Sequence, residues 1–336
     1  MLARRTKIYH QGQFVAETPW LLPSFSSKGF PDESKILKLM SAFITSGILV
    51  SAYDLSYNKI TQQRCAFAPF VVLDSGGYEA RIDHDLSESY GRPYKPKAWS
   101  RVLHEKQLKA WKLKTPTIAV TYDSPSQYLK LGKQVAEARD FQDKHPEFLT
   151  ELLIKPETRP SRLKQTFIPI EKLVIQAERF RPFPLLGITE KELGPSILAR
   201  MRNIARLRQS LDAKGIKAPI HIFGSLDAMT TVLYFVAGAE IFDGLTWLRF
   251  GFHGGRTMYY QNYSLVKGPE GIHRGSEDQY SDMWKQNLYY LVKLQNQMIN
   301  YVKYGGQASQ FTDLADIVND AYLQLEAGLS SELAEK

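Results

Sequence analysis

The sequence predicts a (β/α)8 barrel. Short apolar runs of strand length alternate with longer stretches of helical periodicity along most of the 336 residues. Eight such runs can be counted, and this alternation is typical of a parallel sheet with right-handed crossovers. Several runs end in aspartate or glycine, at the position where barrel strands supply active-site groups. We therefore expect one α/β domain, residues 1–336, folded as a TIM barrel with a C-terminal helical extension.

The first half of the chain supplies five of the predicted strands. They cover residues 18–25, 48–53, 70–73, 117–122 and 151–155. Apolar residues at helical spacing between them predict helices over 32–45, 98–113 and 127–144. Pro19 and Pro23 suit only the ends or edges of a strand, so the first strand is expected to be short.

The second half supplies the remaining three strands, over residues 183–188, 219–224 and 239–243. The predicted helices are 173–181, 196–214 and 226–237, and Gly215 stands at the usual glycine position after a helix. A helix over approximately 284–304 is expected to pack on the barrel. Residues 328–336 are expected to fray, as chain ends commonly do.

The composition indicates a globular protein, with 43% hydrophobic and 23% charged residues. A formal net charge of +8 favours contact with nucleic acid, although a solvated basic surface gives the same total. A single cysteine, Cys65, excludes an internal disulfide and a zinc site built from several thiolates. With no long apolar run and no secretory signal, we expect a cytoplasmic protein that has no contact with membranes.

Three predicted strands end in an aspartate, namely Asp74, Asp123 and Asp243. Any one of them alone would be read as a helix cap or a turn residue. Together at one end of a barrel they allow a division of labour, with one carboxylate as the nucleophile and another handling protons. Glycosyl transfer with retention of configuration has this requirement.

Four strand ends resemble those of one enzyme family. Asp74-Ser75-Gly76-Gly77-Tyr78 resembles the strand-three signature of the tRNA-guanine transglycosylase superfamily, and Ile241-Phe242-Asp243 with Arg249 resembles its strand-eight signature. Residues 184–188 and 221–224 are similar to its strands six and seven. The order and spacing of the four segments agree, so the resemblance covers most of the chain.

The resemblance implies a role for each matching residue. Asp243 would attack the anomeric carbon of the target nucleotide, Asp74 would move protons, and Asp123 would accept hydrogen bonds from the base. Arg249 and Arg256 would contact the nucleic acid, or else lie in a solvated surface loop. The other residues implied to contact the base are Ser75, Gly76, Tyr78, Gly187, Ile188, Phe223 and Gly224. Without the motif, Tyr78 and Phe223 would be read as core packing, and no metal or other cofactor is expected.

The sequence departs from the family pattern at three places. Glu79 stands where the family usually has glutamine, and Lys155 stands near another base-reading glutamine. The cysteines of the family's zinc subdomain are missing, and a polar segment, 267–282, takes their place. Its His273 is read as a surface residue.

The resemblance therefore implies exchange of guanine for a 7-deazaguanine base, such as 7-cyano-7-deazaguanine, in a polynucleotide. The missing zinc subdomain favours the DpdA-type DNA deazaguanine transglycosylases, with DNA as the substrate. The same reaction on tRNA or another RNA is the alternative, and an accessory protein such as an NTPase is compatible with either. A non-catalytic nucleic-acid-binding subunit and an unrelated barrel enzyme acting on a phosphorylated metabolite are the other two readings.

Overall fold

The computed structural model of the protein describes residues 1–30, 32–81, 94–124, 126–160 and 165–334. A two-stranded antiparallel hairpin precedes the barrel, formed by β1 (Lys7–His10) and β2 (Gln13–Glu17). This hairpin was not among the predicted strands. Ile8 packs among residues that begin the barrel strands, such as Trp20 and Ile241, so the hairpin covers the amino end of the barrel.

The eight-stranded barrel predicted from the sequence is confirmed. Its strands are all parallel and close in the order β10-β3-β4-β5-β6-β7-β8-β9. They are β3 (Trp20–Phe25), β4 (Ile48–Ser51), β5 (Val71–Asp74), β6 (Thr117–Val120), β7 (Leu149–Ile154), β8 (Leu185–Thr189), β9 (Ile220–Phe223) and β10 (Ile241–Gly244).

Helices connect the strands on the outside of the barrel. They are α1 (Glu33–Met40), α2 (Ala52–Ser56), α3 (Arg101–Ala110), α4 (Leu131–Lys144), α5 (Ile170–Ile175), α6 (Ile197–Ala213) and α7 (Thr230–Val236). The prediction that the second strand reaches residue 53 is wrong, because Ser51 ends β4 and its Oγ accepts the Tyr53 N–H at the start of α2. The fifth strand begins two residues before its predicted start, which places Glu151 inside β7.

The chain after β10 folds back onto the barrel. It forms α8 (Thr246–Arg249), a hairpin of β11 (Gly251–His253) and β12 (Arg256–Met258), and then α9 (Tyr260–Lys267), α10 (Ser276–Lys303) and α11 (Ala315–Ala334). Helix α10 contains the predicted C-terminal helix and is longer at its amino end. Residues 328–334, which were expected to fray, continue α11, and residues 335–336 lie outside the described residues.

Helix α10 fixes the segment that follows β10. The Asn287 side-chain amide donates to the Trp247 and Phe250 carbonyls, each at 2.7 Å, and its oxygen accepts the Phe252 N–H at 2.8 Å. Trp247 in turn donates from Nε1 to the Ser24 carbonyl at 3.3 Å. The segment after β10 is therefore joined to the carboxyl end of β3 by Trp247 and to α10 by the buried Asn287. Over the ranges given above, no helix is long and apolar enough to cross a membrane.

Candidate active site

Three carboxylates predicted from the sequence lie at the carboxyl end of the barrel. Asp74 ends β5, Asp243 lies within β10, and Asp123 follows β6 by three residues. Asp243 and Asp123 are close enough to Asp74 that their charges raise its pKa, together with burial and Glu79. The structure thus brings all three acids to one end of the barrel.

Asp243 is surrounded by hydrogen-bond donors. Ser24 Oγ donates to Oδ2 at 2.7 Å, and the Gly224 N–H donates to Oδ1 at 3.1 Å. His221 Nε2 lies 3.2 Å from Oδ1, an ion-pair distance whose geometry falls short of a hydrogen bond. Gly224 has φ +78°, a conformation that favours glycine and turns its N–H toward the carboxylate. These contacts hold the carboxylate in one orientation.

His221 and Glu151 were not identified as site residues from the sequence. His221 Nδ1 lies 2.8 Å from Glu151 Oε1, and both side chains are fully buried in the barrel. Burial alone would lower the pKa of His221, but the charge of Glu151, the hydrogen bond to it and the nearby charge of Asp243 raise it to about 9. The available signal was an ionisable residue within each of two mainly apolar strands, Glu151 in β7 and His221 in β9.

Asp74 lies in a different environment. Its Oδ2 accepts the Gly76 N–H at 3.0 Å, which lowers its pKa. Burial and the negative charges of Glu79, Asp243 and Asp123 outweigh that hydrogen bond and raise the pKa to about 7. Near neutral pH this carboxyl group can therefore both give and accept a proton.

Glu79 lies by the carboxyl ends of β3 and β4. It is buried, accepts the Ser51 hydroxyl at 2.8 Å, and also accepts the Ser26 hydroxyl. Burial and the charge of Asp54 raise its pKa to about 7. Asp54 is itself buried, accepts the Ser27 N–H at 2.8 Å, and has a pKa raised to about 7 by burial.

The glycines after Asp74 have separate packing roles. Gly76 has φ +83°, and a Cβ there would lie 2.7 Å from the Cβ of Tyr53 and 2.9 Å from the Trp99 ring. A Cβ on Gly77 would lie 2.6 Å from Asp123 Oδ2, so the second glycine makes room for that carboxylate. The Ser75 carbonyl accepts the Trp99 N–H at 2.9 Å, and its buried hydroxyl has no hydrogen-bond partner among the described residues.

Asp123 is paired with two cations. Arg81 Nη2 donates to Oδ1 at 2.8 Å, and Lys155 Nζ lies 3.5 Å from Oδ2. Lys155 also contacts Glu192 at 2.7 Å and donates to Thr189 Oγ1 at 3.1 Å. A ligand that bound Asp123 through N–H groups would therefore have to compete with these ion pairs.

The two predicted aromatic side chains differ in exposure. Tyr78 is 37% exposed, and Lys28 Nζ lies 4.2 Å from its ring centroid. Phe223 is buried and stacks on His221 with ring centroids 3.9 Å apart. Its ring also fills the place where Gly187 would carry a Cβ, so the flat group that approaches this glycine here is Phe223. Ile188 continues β8 with its side chain in the outer core.

The two candidate phosphate-binding arginines lie after β10. Arg249 ends α8 rather than lying in a loop, and its Nε and Nη2 are buried without a hydrogen-bond partner in the part of the chain that the structure describes. Its guanidinium lies 5.6 Å from the Phe30 ring centroid. Arg256 is exposed on β12, next to the turn of the hairpin.

The segment 267–282 joins α9 to α10 through a short 3-10 helix, and His273 is exposed there. Among the described residues, no group of three or more His, Cys, Asp or Glu side chains could hold a metal ion. Cys65 is buried, and burial raises its pKa to about 12.

Comparison with known proteins adds no relative to this description. No family model matches the chain, and no curated protein matches it.

Proposed function

We propose that the protein is a transglycosylase that exchanges guanine for a 7-deazaguanine base in DNA through a covalent aspartyl-nucleotide intermediate. The proposal rests on the different environments of two acids at the same end of the barrel, Asp243 and Asp74. Asp243 is held by two hydrogen-bond donors and faces the His221 ring, whereas Asp74 has a pKa raised to about 7 by burial and neighbouring acids. A nucleophile and a proton carrier need these two environments.

In the first half-reaction, a carboxylate oxygen of Asp243 attacks C1′ of the target nucleotide. The bond between C1′ and N9 of guanine breaks, and its electron pair leaves with the base. Protonated Asp74 gives its proton to that base. The products are a C1′–O ester on Asp243, free guanine and ionised Asp74.

The second half-reaction reverses these steps with a different base. Asp74 removes the N9 proton of the entering 7-deazaguanine, and N9 attacks C1′. The ester bond breaks and the carboxylate of Asp243 is restored. Two displacements at one carbon retain its configuration and leave the nucleic-acid backbone intact.

The other residues are proposed to hold the substrates. Tyr78 is exposed enough to stack on a base, and the buried Ser75 hydroxyl has an unused hydrogen-bonding capacity. Asp123 would give up an ion pair and accept hydrogen bonds from N–H groups of the base instead. Arg249 has two buried nitrogens without hydrogen-bond partners among the described residues, which a phosphate would satisfy. Arg256 would contact the strand from the exposed hairpin.

DNA is proposed rather than tRNA because the element between β10 and α10 is a hairpin and a polar helix, without zinc-binding cysteines. The only cysteine, Cys65, lies elsewhere, before β5. A duplex substrate would have to extrude its guanine at a cost of a few kcal/mol, so an already open strand is the better substrate.

The proposal is tested by offering plasmid DNA, single-stranded DNA and tRNA with labelled guanine or labelled 7-cyano-7-deazaguanine. We expect label in DNA, most in the single strand, and none in tRNA. Asp243→Asn should abolish incorporation and the covalent complex. Asp143→Asn, the same change at an exposed residue of α4, serves as the matched control.

Each other outcome has a definite meaning. Label in tRNA alone would replace DNA by tRNA as the substrate. Unchanged incorporation by Asp243→Asn would refute Asp243 as the nucleophile. Binding of nucleic acid without incorporation of either base would refute the enzyme and favour a non-catalytic binding subunit.

A further inference from the structure

A buried chain of three ionisable side chains crosses the barrel beneath its mouth. Glu151 on β7 lies 2.8 Å from one ring nitrogen of His221 on β9, and the other nitrogen lies 3.2 Å from Asp243 on β10. Glu151 and His221 are both fully buried. Neither residue has a part in the proton transfers described above.

The surroundings of His221 favour a charged ring. The charged groups that face it are Glu151 and Asp243, and β8 contributes Gly187, which has no side chain. Phe223 covers one ring face at 3.9 Å, a contact that suits a cation. A neutral ring could donate to only one of the two carboxylates, which would leave the other facing a bare nitrogen lone pair.

The two oxygens of Asp243 are not equivalent. Oδ1 accepts the Gly224 N–H and faces His221 Nε2, whereas Oδ2 accepts the Ser24 hydroxyl alone among the groups that the structure describes. A carboxylate oxygen has two lone pairs in the carboxylate plane. Among the described residues, Oδ2 therefore has one partner, whereas Oδ1 has both the Gly224 N–H and the ring of His221 beside it.

We propose that His221, held as an imidazolium by Glu151, is a positioning residue that makes Oδ2 of Asp243 the attacking atom and stabilises this carboxylate as the leaving group in the second half-reaction. The proposal rests on the proposed function. When the C1′–Oδ2 ester forms, Oδ1 becomes its carbonyl oxygen and loses its negative charge. When the C1′–Oδ2 bond breaks, the electron pair returns to Asp243, and the Nε2 proton of His221 stabilises it without being transferred.

The role predicts a distinct kinetic defect. Removing the imidazolium would make the carboxylate of Asp243 a poorer leaving group. The covalent intermediate should still form but should resolve about 10- to 100-fold more slowly, the range for losing one charge-assisted polar contact. A residue with a merely structural role would slow both half-reactions together.

The test uses Glu151→Gln, which removes the charge that holds the imidazolium without touching Asp243. The covalent complex is first formed on a single-stranded DNA, and its decay is followed after addition of 7-cyano-7-deazaguanine from pH 5.5 to 10. In the wild-type protein, resolution should rise through about pH 7 with Asp74 and fall as the pH passes about 9 with His221. In the variant, the pH at which the rate of resolution falls should move down toward or below 6.5, the pKa of an unperturbed histidine.

Thr150→Val is the matched control, because Thr150 is the buried neighbour of Glu151 on β7 and its hydroxyl has no hydrogen-bond partner among the described residues. It should behave as the wild type. Nitrogen-15 NMR of the wild-type histidines, seven in number, gives a second measurement that does not depend on a variant folding. His221, assigned from the signal lost in His221→Gln, should carry protons on both nitrogens at pH 7.5.

A singly protonated His221 in the wild-type protein would overturn this inference, as would a wild-type pH profile in Glu151→Gln. Either result in a chain that exchanges bases leaves the proposed function in place. A doubly protonated His221 in a chain that forms no covalent complex with any nucleic acid would instead refute the proposed function, and this role with it.

Discussion

The two sides of the barrel mouth surround a carboxyl group with opposite environments. On the β9–β10 side, the carboxylate of Asp243 faces a hydroxyl, a backbone N–H and an imidazole. On the β4–β5 side, Asp74 lies near Glu79, which in turn lies near Asp54. Each of these three acids has a pKa raised to about 7 by burial, with a neighbouring acid among the further causes.

The difference shows how one residue type can serve two purposes. Donors stabilise the charged form of a carboxyl group, whereas burial and like charges stabilise the neutral form. The β9–β10 side is therefore suited to a carboxylate that is held in place by donors and can attack carbon. The β4–β5 side is suited to a carboxyl group that exchanges its proton near neutral pH.

The largest expected effect comes from removing one acid from each side. Asp243→Asn should form no covalent complex, because the amide cannot act as the nucleophile. Asp74→Asn should still form it, but about 10²- to 10⁴-fold more slowly, the usual contribution of general acid catalysis. Single-turnover assays on denaturing gels measure both. Equal and complete loss in the two variants would contradict the division of labour.

The pH dependence of the first half-reaction tests the same contrast within the wild-type protein. The folded pKa of Asp74 is raised from 3.8 to about 7, so its acidic form is present below that pH and lost above it. Covalent-complex formation should therefore be fastest below about pH 7 and fall as the pH rises through it. A rate that rises over this range would show that Asp74 is not the acid.

A smaller effect is expected from Arg249, which ends α8 and lies next to the Phe30 ring. Arg249→Ala should weaken binding of single-stranded DNA about tenfold, as expected for one lost charge-assisted contact, and reduce the salt dependence by about one phosphate. Arg64→Ala removes the same charge from an exposed site before β5 and is the control. Fluorescence anisotropy at several salt concentrations measures both. Equal losses would mean that only net charge matters.

The sequence predicted the parts of this arrangement that are local. Apolar runs that end in aspartate and glycine placed Asp74 and Asp243 at strand ends, and the alternation of runs predicted the barrel. These patterns repeat over a few residues, so they can be read without tertiary information. The amino-terminal hairpin was missed although Gln11 and Gly12, both with positive φ, form its turn. Its strands are short and only partly buried.

The contacts that distinguish the two sides could not be predicted in this way. Glu151 and His221 are 70 residues apart, and only closure of the barrel brings them together. The direction of Glu79 depends on hydroxyls from Ser26 and Ser51, which lie on other strand ends. The pairing of Asp123 with Arg81 and Lys155 likewise joins three separate loops and strands.

A more modest effect is expected when a methyl group is introduced beside Asp123. Gly77→Ala would place a Cβ 2.6 Å from Asp123 Oδ2 and disturb its ion pair with Arg81. We expect a loss of about 1–3 kcal/mol in the free energy of unfolding, typical of overpacking, and a higher KM for the base. Gly275→Ala, where the added methyl group meets open space, should leave both unchanged or slightly raise stability. Thermal denaturation and exchange kinetics measure the pair.

The smallest expected effect comes from Glu79→Gln, which removes one acidic group from the β4–β5 side of the barrel mouth and keeps the shape of the side chain. The folded pKa of Glu79 is raised from 4.5 to about 7, so its stabilising contribution is fully present below pH 4.5 and lost as the pH rises through about 7. The variant should therefore gain a few degrees in Tm over the wild type at pH 8 and little at pH 5. Glu270→Gln, an exposed control, should show the same Tm difference at both values.

Glu79→Gln should also change the pH dependence of covalent-complex formation. After burial, the charge of Glu79 is the largest cause of the raised pKa of Asp74. Without that charge, Asp74 should lose its proton at a lower pH, and the fall in covalent-complex formation should move down with it. Resolution of the complex should keep its alkaline limit, because His221 lies on the other side of the mouth. If both limits moved together, the two sides would be one coupled network and their separate roles would not hold.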